Sequence, residues 1–237
     1  MNDTLLSSQV LSLPEKLDFN EDFERALKLM EGDSQCIFIT GRAGSGKSTL
    51  LTYFVAKSLK KIALLAPTGV AALRIRGQTI HSFFGFPPRL ITNKDIKVKR
   101  KRRIYEALDT IVIDEVSMVR ADLMDAIDNF LRINRREKNK PFGGVQIVFF
   151  GDLFQLPPVV SNAYEGTYLS MSYASPYFFD AHVFSQVRME VVELTKVYRQ
   201  KNRHFISMLN AIRDNNIDYD MIEEINERCS PYDPYSS

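Results

Sequence analysis

The chain has 237 residues, of which 45% are hydrophobic, so it can bury the core of one α/β domain and does not fit a small stapled or disordered protein. Its 31 Lys and Arg residues nearly balance 29 Asp and Glu residues, and a polyanionic partner must therefore be attracted by a local basic patch. Cys36 and Cys229 have no metal-type spacing to any histidine, which argues against a disulfide framework or a zinc site and predicts two ordinary thiols.

The N-terminus is polar and irregular, and residues 1–17 are predicted to form an arm. Asp3 comes early, and no apolar stretch in the chain is long enough to span a bilayer. We therefore expect an intracellular protein.

Apolar strands alternate with helices along the next part of the chain. Helices are predicted over residues 20–31, 47–58, 70–76 and 121–134. Strands are predicted over residues 36–39, 62–66, 111–114 and 145–150, with a further candidate over 189–194. This alternation predicts an α/β fold, with a mostly parallel sheet that has helices on both faces and binds ligands at the carboxyl ends of its strands.

Two segments interrupt this alternation. Residues 94–103, KDIKVKRKRR, are strongly basic, and such a run either contacts DNA or forms a solvated charged surface. Residues 161–180 are rich in Tyr, Ser and Gly and predict a loop or a small excursion from the sheet.

A phosphate-binding loop is indicated by GRAGSGKS, residues 41–48, which fits G-x-x-x-x-G-K-[ST] between a strand and a helix. Glycines let the backbone N–H groups face the phosphates, and the following helix adds the positive end of its dipole. We expect Lys47 to neutralise the β- and γ-phosphates and Ser48 to bind Mg²⁺. The residues expected to bind ATP are Gly41, Ala43, Gly44, Ser45, Gly46, Lys47, Ser48 and Thr49.

Two adjacent carboxylates follow the apolar strand Ile111-Val112-Ile113. Asp114 is expected to hold Mg²⁺, directly or through water, and Glu115 is the candidate general base for the attacking water. Taken alone, the same residues can end a strand in a solvated turn.

A third polar segment, GDLFQLPP, follows the strand that ends at Phe150 and should emerge on the same rim of the sheet. The side-chain amide of Gln155 can both donate and accept hydrogen bonds, which suits it to sense the γ-phosphate or position water. A buried turn amide is the alternative interpretation.

Five segments resemble motifs I, Ia, II, III and IV of the Pif1-like helicases, a superfamily 1 group related to RecD. In chain order they are GRAGSGKST, APTGVAALRIRGQTIHSFF, IDEVSM, FGDLFQLPPV and LTKVYRQ. The resemblance covers roughly residues 20–213, and APTGVAA, GQTIHSFF and GDLFQLPPV are far more specific than a phosphate-binding loop.

The resemblance implies a RecA-like motor domain over residues 18–200, followed by a helical segment and tail over 201–237. Such a domain binds ATP with Mg²⁺ at one rim of the sheet and single-stranded DNA across the adjacent face. The catalytic residues implied are Lys47, Glu115, Gln155 and Arg199, of which Arg199 is expected to reach the γ-phosphate. The sequence alone, without the resemblance, predicts a surface arginine at position 199.

The resemblance also implies contacts with single-stranded DNA by Thr68, Gly69, His81, Phe83, Pro157 and Pro158. Hydroxyl and backbone N–H groups suit phosphates, and aromatic rings stack on bases without regard to sequence. Phe83 or the adjacent Phe84 can instead belong to the core, and His81 can be a structural histidine.

A second RecA-like domain is expected in this family, and no second run of strands is predicted within the 237 residues. We therefore expect an isolated first motor domain that hydrolyses ATP slowly and holds single-stranded DNA weakly, with the 5′ to 3′ polarity and the DNA-associated location of the family. The alternatives are a nucleotide switch or DNA-binding module that does not translocate, and a small-molecule kinase, in which GDLFQLPPV has no evident role.

Overall fold

A sheet of six parallel strands forms the centre of the computed structural model, which describes residues 19–196, 198 and 203–227. The strands are β1 (Cys36–Gly41), β2 (Ile62–Ala66), β3 (Gln78–Thr79), β4 (Thr110–Ile113), β5 (Gln146–Phe150) and β6 (Met189–Leu194). Their spatial order is β3-β2-β4-β5-β1-β6, and every neighbouring pair is parallel. The predicted α/β fold is confirmed, and β3 is a strand that the sequence did not predict.

The helices of the chain fall into two compact units, residues 1–196 and 197–237. The first unit contains α1 (Glu21–Glu31), α2 (Lys47–Lys57), α3 (Gly69–Arg74), α4 (Ile80–Phe84), α5 (Arg103–Glu106), α6 (Ala121–Asn134) and α7 (Ala163–Ser172). Short 3₁₀ helices in this unit are formed by Val116–Met118, Pro141–Gly144, Phe178–Asp180 and His182–Ser185. The second unit contains α8 (Arg203–Arg213) and α9 (Tyr219–Glu227). Among the described helices, none has the length and apolar character that a membrane crossing requires.

Two hydrophobic layers cover the sheet because successive side chains of a strand point to opposite faces. Along β1, Cys36 and Phe38 belong to one layer, and Ile37 and Ile39 belong to the other. The apolar side chains of α6 complete the first layer, and those of α1 and α2 complete the second. Helices therefore pack on both faces, as the all-apolar strands predicted.

Cys36 is a free thiol, in agreement with the predicted ordinary thiol. Its side chain is fully buried in β1, and this burial raises the pKa of the thiol to about 12. A thiol that stays protonated is a poor nucleophile and a poor metal ligand. Cys229 and the predicted arm over residues 1–17 lie outside the described residues.

Residues 161–180, predicted as a loop or excursion, contain the helix α7. Asn162 caps this helix by accepting a hydrogen bond from the N–H of Glu165 at 3.0 Å. The buried Glu165 carboxylate accepts from Arg120 at 3.0 Å, and the same guanidinium pairs with both carboxylate oxygens of Asp122. A buried ion-pair network therefore fixes a helix whose own sequence is a weak helix former.

Gly77 lies where the chain passes from α3 to β3, close against the backbone of β2. A Cβ atom there would be 2.3 Å from the carbonyl oxygen of Leu64. We expect Gly77→Ala to lower the free energy of unfolding by about 1–3 kcal/mol, because overpacking against backbone forces the sheet edge to move. Thermal unfolding of the purified chain measures this loss.

Gly69→Ala is the matched control for this substitution. A Cβ at Gly69 would meet nothing within 4 Å, and Gly69 is the first residue of α3. Its stability should be unchanged or raised by up to about 1 kcal/mol, because alanine is the better helix former. Equal melting temperatures for the two variants would contradict the close contact at Gly77.

Candidate functional site

Three neighbouring strands bring the predicted catalytic segments to one rim of the sheet. β5 lies between β4 and β1, and the three run parallel, so their carboxyl ends meet on the same side. Gly41 ends β1, Asp114 follows β4, and Gly151 follows β5. The loop over residues 41–48, the two carboxylates and the segment with Gln155 therefore share one rim, as predicted.

The loop over residues 41–48 has the backbone that its glycines predict. Gly41 has φ 149°, and a Cβ there would lie 2.7 Å from both the Leu194 carbonyl oxygen and Ser45 Oγ. Gly46 has φ 94° and stands directly before α2. A side chain at either position would be strained, so the tight curl of this loop depends on glycine.

The polar groups of this loop fit the phosphates of a nucleotide. Lys47 Nζ donates to the carbonyl oxygens of Gly41 at 2.5 Å and Arg42 at 3.1 Å, which holds its charge at the loop. Ser45 is 1% exposed, and its hydroxyl has no hydrogen-bond partner within the part of the chain that the structure describes. A buried hydroxyl normally has a partner, and a phosphate oxygen at the start of α2 would provide one.

The carboxylates after β4 are held by a residue that the sequence did not reveal. Arg74 Nη2 donates to Glu115 Oε1 at 2.6 Å and to Asp114 Oδ2 at 3.3 Å. Arg74 lies on α3, forty residues before Asp114, and no sequence pattern links the two segments. The arginine joins the predicted metal ligand and the predicted base in one ion-pair cluster.

The environments of the two carboxylates differ. Asp114 is only 6% exposed, and its burial, followed by the negative charge of Glu115, raises the pKa of Asp114 against the effect of Arg74. Glu115 is partly exposed and has the left-handed backbone conformation, with φ 51°. Non-glycine residues with a strained backbone are concentrated at functional sites, which supports a role for Glu115. The burial of Asp114 does not fit the alternative in which the two carboxylates lie in a solvated turn.

A magnesium site here needs few protein ligands. The described residues contain no group of three or more His, Cys, Asp or Glu side chains that could hold a metal. Mg²⁺ bound with a nucleotide commonly uses one or two protein oxygens, together with phosphates and water. The Asp114 carboxylate and the exposed Ser48 hydroxyl in the first turn of α2 are donors of the required type.

Gln155 is exposed at the rim, so the buried-amide alternative is wrong. Its Nε2 donates to Asp152 Oδ2 at 3.2 Å. Asp152 is only 3% exposed, and its other oxygen accepts from the Phe154 N–H at 3.1 Å. The buried Asp152 therefore orients the Gln155 amide. This supporting role was not predicted from the sequence.

A cleft of about 200 Å³ contains two predicted catalytic residues and one predicted DNA contact. It is lined by Thr68, Val70, Ala71, Arg74, Glu115, Ser117, Met118, Gln155 and Leu156. Thr68 caps α3 by accepting from the Ala71 N–H at 3.2 Å, and its hydroxyl hydrogen can still be donated to a partner. Glu115 and Gln155 thus share one cleft with the first of the predicted DNA contacts.

Three further predicted DNA contacts have accessible groups. Gly69 and Pro157 are exposed, and the backbone of Gly69 has open space around it. His81 is half-buried, and burial, followed by the positive charge of Arg120, lowers the pKa of its imidazole. A neutral imidazole can either donate or accept a hydrogen bond, so the His81 ring suits a DNA contact as well as a structural role.

Two predicted DNA contacts do not fit the structure. Phe83 is only 8% exposed and packs edge-on against Phe84 and Tyr105, whose hydroxyl donates to the Phe83 carbonyl at 3.0 Å. Its ring therefore belongs to the core and offers no face to a base. Pro158 is buried, whereas its neighbour Pro157 is exposed.

The predicted contact of Arg199 with the γ-phosphate stays a prediction, because Arg199 lies outside the described residues.

Comparisons with known proteins agree with the motifs. The family model described as PIF1-like helicase matches residues 19–222. The chain is 38% identical over 193 residues to the ATP-dependent DNA helicase PIF1 of Candida albicans, covering 76% of this chain and 21% of that protein. It is 36% identical over 211 residues to the human ATP-dependent DNA helicase PIF1, covering 86% of this chain and 31% of that protein.

A solved structure supports the same relationship. The Pif1 helicase from Bacteroides in complex with ADP-AlF3 and ssDNA matches with a TM-score of 0.83 and 39% sequence identity. The match covers 93% of this chain and 52% of that one. The chain thus spans about half the length of this solved relative, and less than half of the two curated proteins.

Proposed function

The chain belongs to the PIF1-like helicase family, and on this premise we propose that it forms the first motor domain of an ATP-dependent DNA helicase. Such a domain couples hydrolysis of Mg-ATP to movement along single-stranded DNA. The observation that carries the proposal is the cleft in which Glu115 and Gln155 lie with Thr68. One cleft lets a contact with DNA alter the groups that act on ATP.

The phosphate end of ATP would bind at the loop over residues 41–48. Lys47 compensates the charge of the β- and γ-phosphates, and the start of α2 adds the positive end of its dipole. Asp114 and Ser48 would hold Mg²⁺, which when bound supplies further positive charge to the phosphates.

Glu115 would accept the proton of the attacking water, and the position of its carboxylate in the cleft at the end of β4 supports this role. Arg74 holds this carboxylate in position through the 2.6 Å hydrogen bond. Gln155, oriented by Asp152, can bind the same water or the γ-phosphate. Arg199 would add a positive charge to the transferred phosphoryl group.

Single-stranded DNA would cross the sheet edge near α3. The Thr68 hydroxyl, the Gly69 N–H and the His81 ring offer hydrogen bonds to phosphates, and Pro157 offers an apolar contact. The Bacteroides relative was solved with both ADP-AlF3 and ssDNA, and we expect this chain to bind a nucleotide and single-stranded DNA as well. We further propose that this domain acts together with a second RecA-like domain, moves 5′ to 3′ and is located at DNA.

The proposal is tested by measuring ATP turnover and oligo(dT) binding by this chain. Oligo(dT) should bind and raise turnover, and Thr68→Val should weaken binding by roughly tenfold, the effect of one hydrogen bond to a charged group. Asn20→Ala removes the side-chain cap of α1 and controls for the loss of a helix cap alone. If nucleotide binds but oligo(dT) neither binds nor stimulates, the nucleotide-switch alternative replaces the helicase motor.

A further inference from the structure

Within the basic segment, residues 94–103, the part around Lys97 and Lys99 lies beside the end of α6, at the rim opposite the candidate site. α6 starts soon after β4 ends and finishes before β5 begins, so its last residue lies where the parallel strands start. That residue, Asn134, is fully buried. Its side chain accepts from the Lys99 N–H at 2.7 Å and donates to the Lys97 carbonyl at 3.1 Å. Lys97 and Lys99 are therefore remote from the cleft that contains Glu115.

Most of the positive charge of the basic segment is uncompensated. Its exposed cations are Lys94, Lys97, Arg100, Lys101 and Arg103. None of these five forms an ion pair with a residue in the ranges that the structure describes. The nearby acids are already engaged, since Asp95 pairs with Arg89 at 2.7 Å and Glu106 pairs with Arg102 and Arg136. A cluster of unpaired like charges attracts a polyanion.

The backbone of the basic segment is fixed to the hydrophobic core. The Asn134 side chain forms two hydrogen bonds with this backbone, and Lys99 Nζ lies 5.8 Å from the ring centroid of the buried Phe130. Ile96 packs against the same layer of the core. The exposed cations thus project from an anchored backbone, which reduces the entropy lost when they bind a partner.

The composition of the basic segment favours contacts with phosphates over stacking on bases. Residues 94–103 contain no aromatic ring that could stack on a base. Sites for single strands rely on stacking, whereas a duplex hides its bases and presents the denser row of phosphates. We propose that the basic segment binds the phosphate backbone of double-stranded DNA, independently of sequence. This inference rests on the proposed function, in which DNA is the substrate.

The test is the salt dependence of DNA binding by the whole chain. The triple variant Lys97→Gln, Arg100→Gln and Lys101→Gln is compared with the wild type on a blunt-ended duplex and on oligo(dT). If the three cations contact three duplex phosphates, the wild type loses about 40-fold more duplex affinity than the variant between about 50 and about 200 mM salt. Oligo(dT) binding should keep its affinity and salt dependence, because its contacts lie at the opposite rim.

The matched control is Lys28→Gln, Lys57→Gln and Lys61→Gln, which removes three exposed cations elsewhere on the same unit. This control should bind the duplex with the salt dependence of the wild type. An equal effect of the two triple variants, or equal effects on duplex and oligo(dT), would overturn the proposal. A lower melting temperature of the first variant with unchanged DNA binding would overturn it too, and would show that the cations only stabilise the end of α6.

The same measurements separate this inference from the proposed function. Binding of oligo(dT) without binding of the duplex refutes the duplex site and leaves the helicase motor in place. Absence of binding to either DNA contradicts the helicase proposal itself.

Discussion

Lys47→Ala is expected to lower the affinity of the chain for Mg-nucleotide by about 10- to 100-fold, the effect of a lost hydrogen bond to a charged group. Turnover of ATP should fall by about 100-fold or more, because the lysine also compensates charge that develops in the transition state. The structure places the ammonium group at the loop, where the carbonyl oxygens of Gly41 and Arg42 hold it. Titration with a fluorescent ADP analogue and steady-state turnover measure the two effects.

Lys57→Ala is the control for this variant, because Lys47 and Lys57 are the first and last residues of the same helix, α2. Both substitutions remove one positive charge and introduce the same helix-forming residue. Only the first removes it at the helix end whose dipole favours anions. If the two variants bound nucleotide equally well, the assignment of the loop over residues 41–48 as the phosphate site would be wrong.

The sheet was predictable because its strands are short, apolar and bounded by polar turns. The predicted ends of β2, α6 and β6 agree with the structure, and those of β1, α2, β4 and β5 differ by one or two residues. β3 escaped prediction because Gln78 and Thr79 are neither apolar nor part of a longer run, and the strand exists only through its pairing with β2. α7 escaped because its support comes from Arg120, forty-five residues away from Glu165.

The candidate site also contains some residues that the sequence could identify and others that only the fold brings together. Roles for Lys47, Asp114 and Glu115 could be predicted from the sequence because these residues belong to a local pattern of strand, loop and helix, and the structure brings them to one rim. Arg74 and Asp152 were missed because their roles depend on which side chains the fold brings together, and neither has a local pattern of its own. The burial of Phe83 was also undetermined, since two adjacent phenylalanines at the end of a short helix give no periodicity that assigns one ring to the core.

Arg74 physically links a predicted DNA contact to the proposed base. It lies on α3, whose first turn contains the predicted DNA contact Gly69, and its guanidinium binds the Glu115 carboxylate. α3 is only six residues long, so a shift at its start is transmitted to Arg74 over little more than one helical turn. A change at the predicted DNA contact could therefore change the position of the proposed base.

Glu115→Gln is expected to lower ATP turnover by about 100- to 10,000-fold, which is the contribution of a general base. The affinity for Mg-nucleotide should change little, because Lys47, Ser48 and Asp114 are left in place. Glutamine keeps the size of the side chain and an oxygen that can still accept from Arg74, so the cleft should keep its shape. Single-turnover hydrolysis and nucleotide titration on the same protein separate the two quantities.

A control with the same chemical change is Glu24→Gln. Glu24 lies at an exposed position of α1, and this variant should keep full turnover.

The contrast between Lys47→Ala and Glu115→Gln is more informative than either variant alone. A charge that holds the phosphates affects binding and turnover together, whereas a base that acts only during the reaction affects turnover alone. If Glu115→Gln weakened nucleotide binding as much as Lys47→Ala, Glu115 would belong to the binding of Mg-nucleotide, and the proton of the attacking water would have to be accepted by another group.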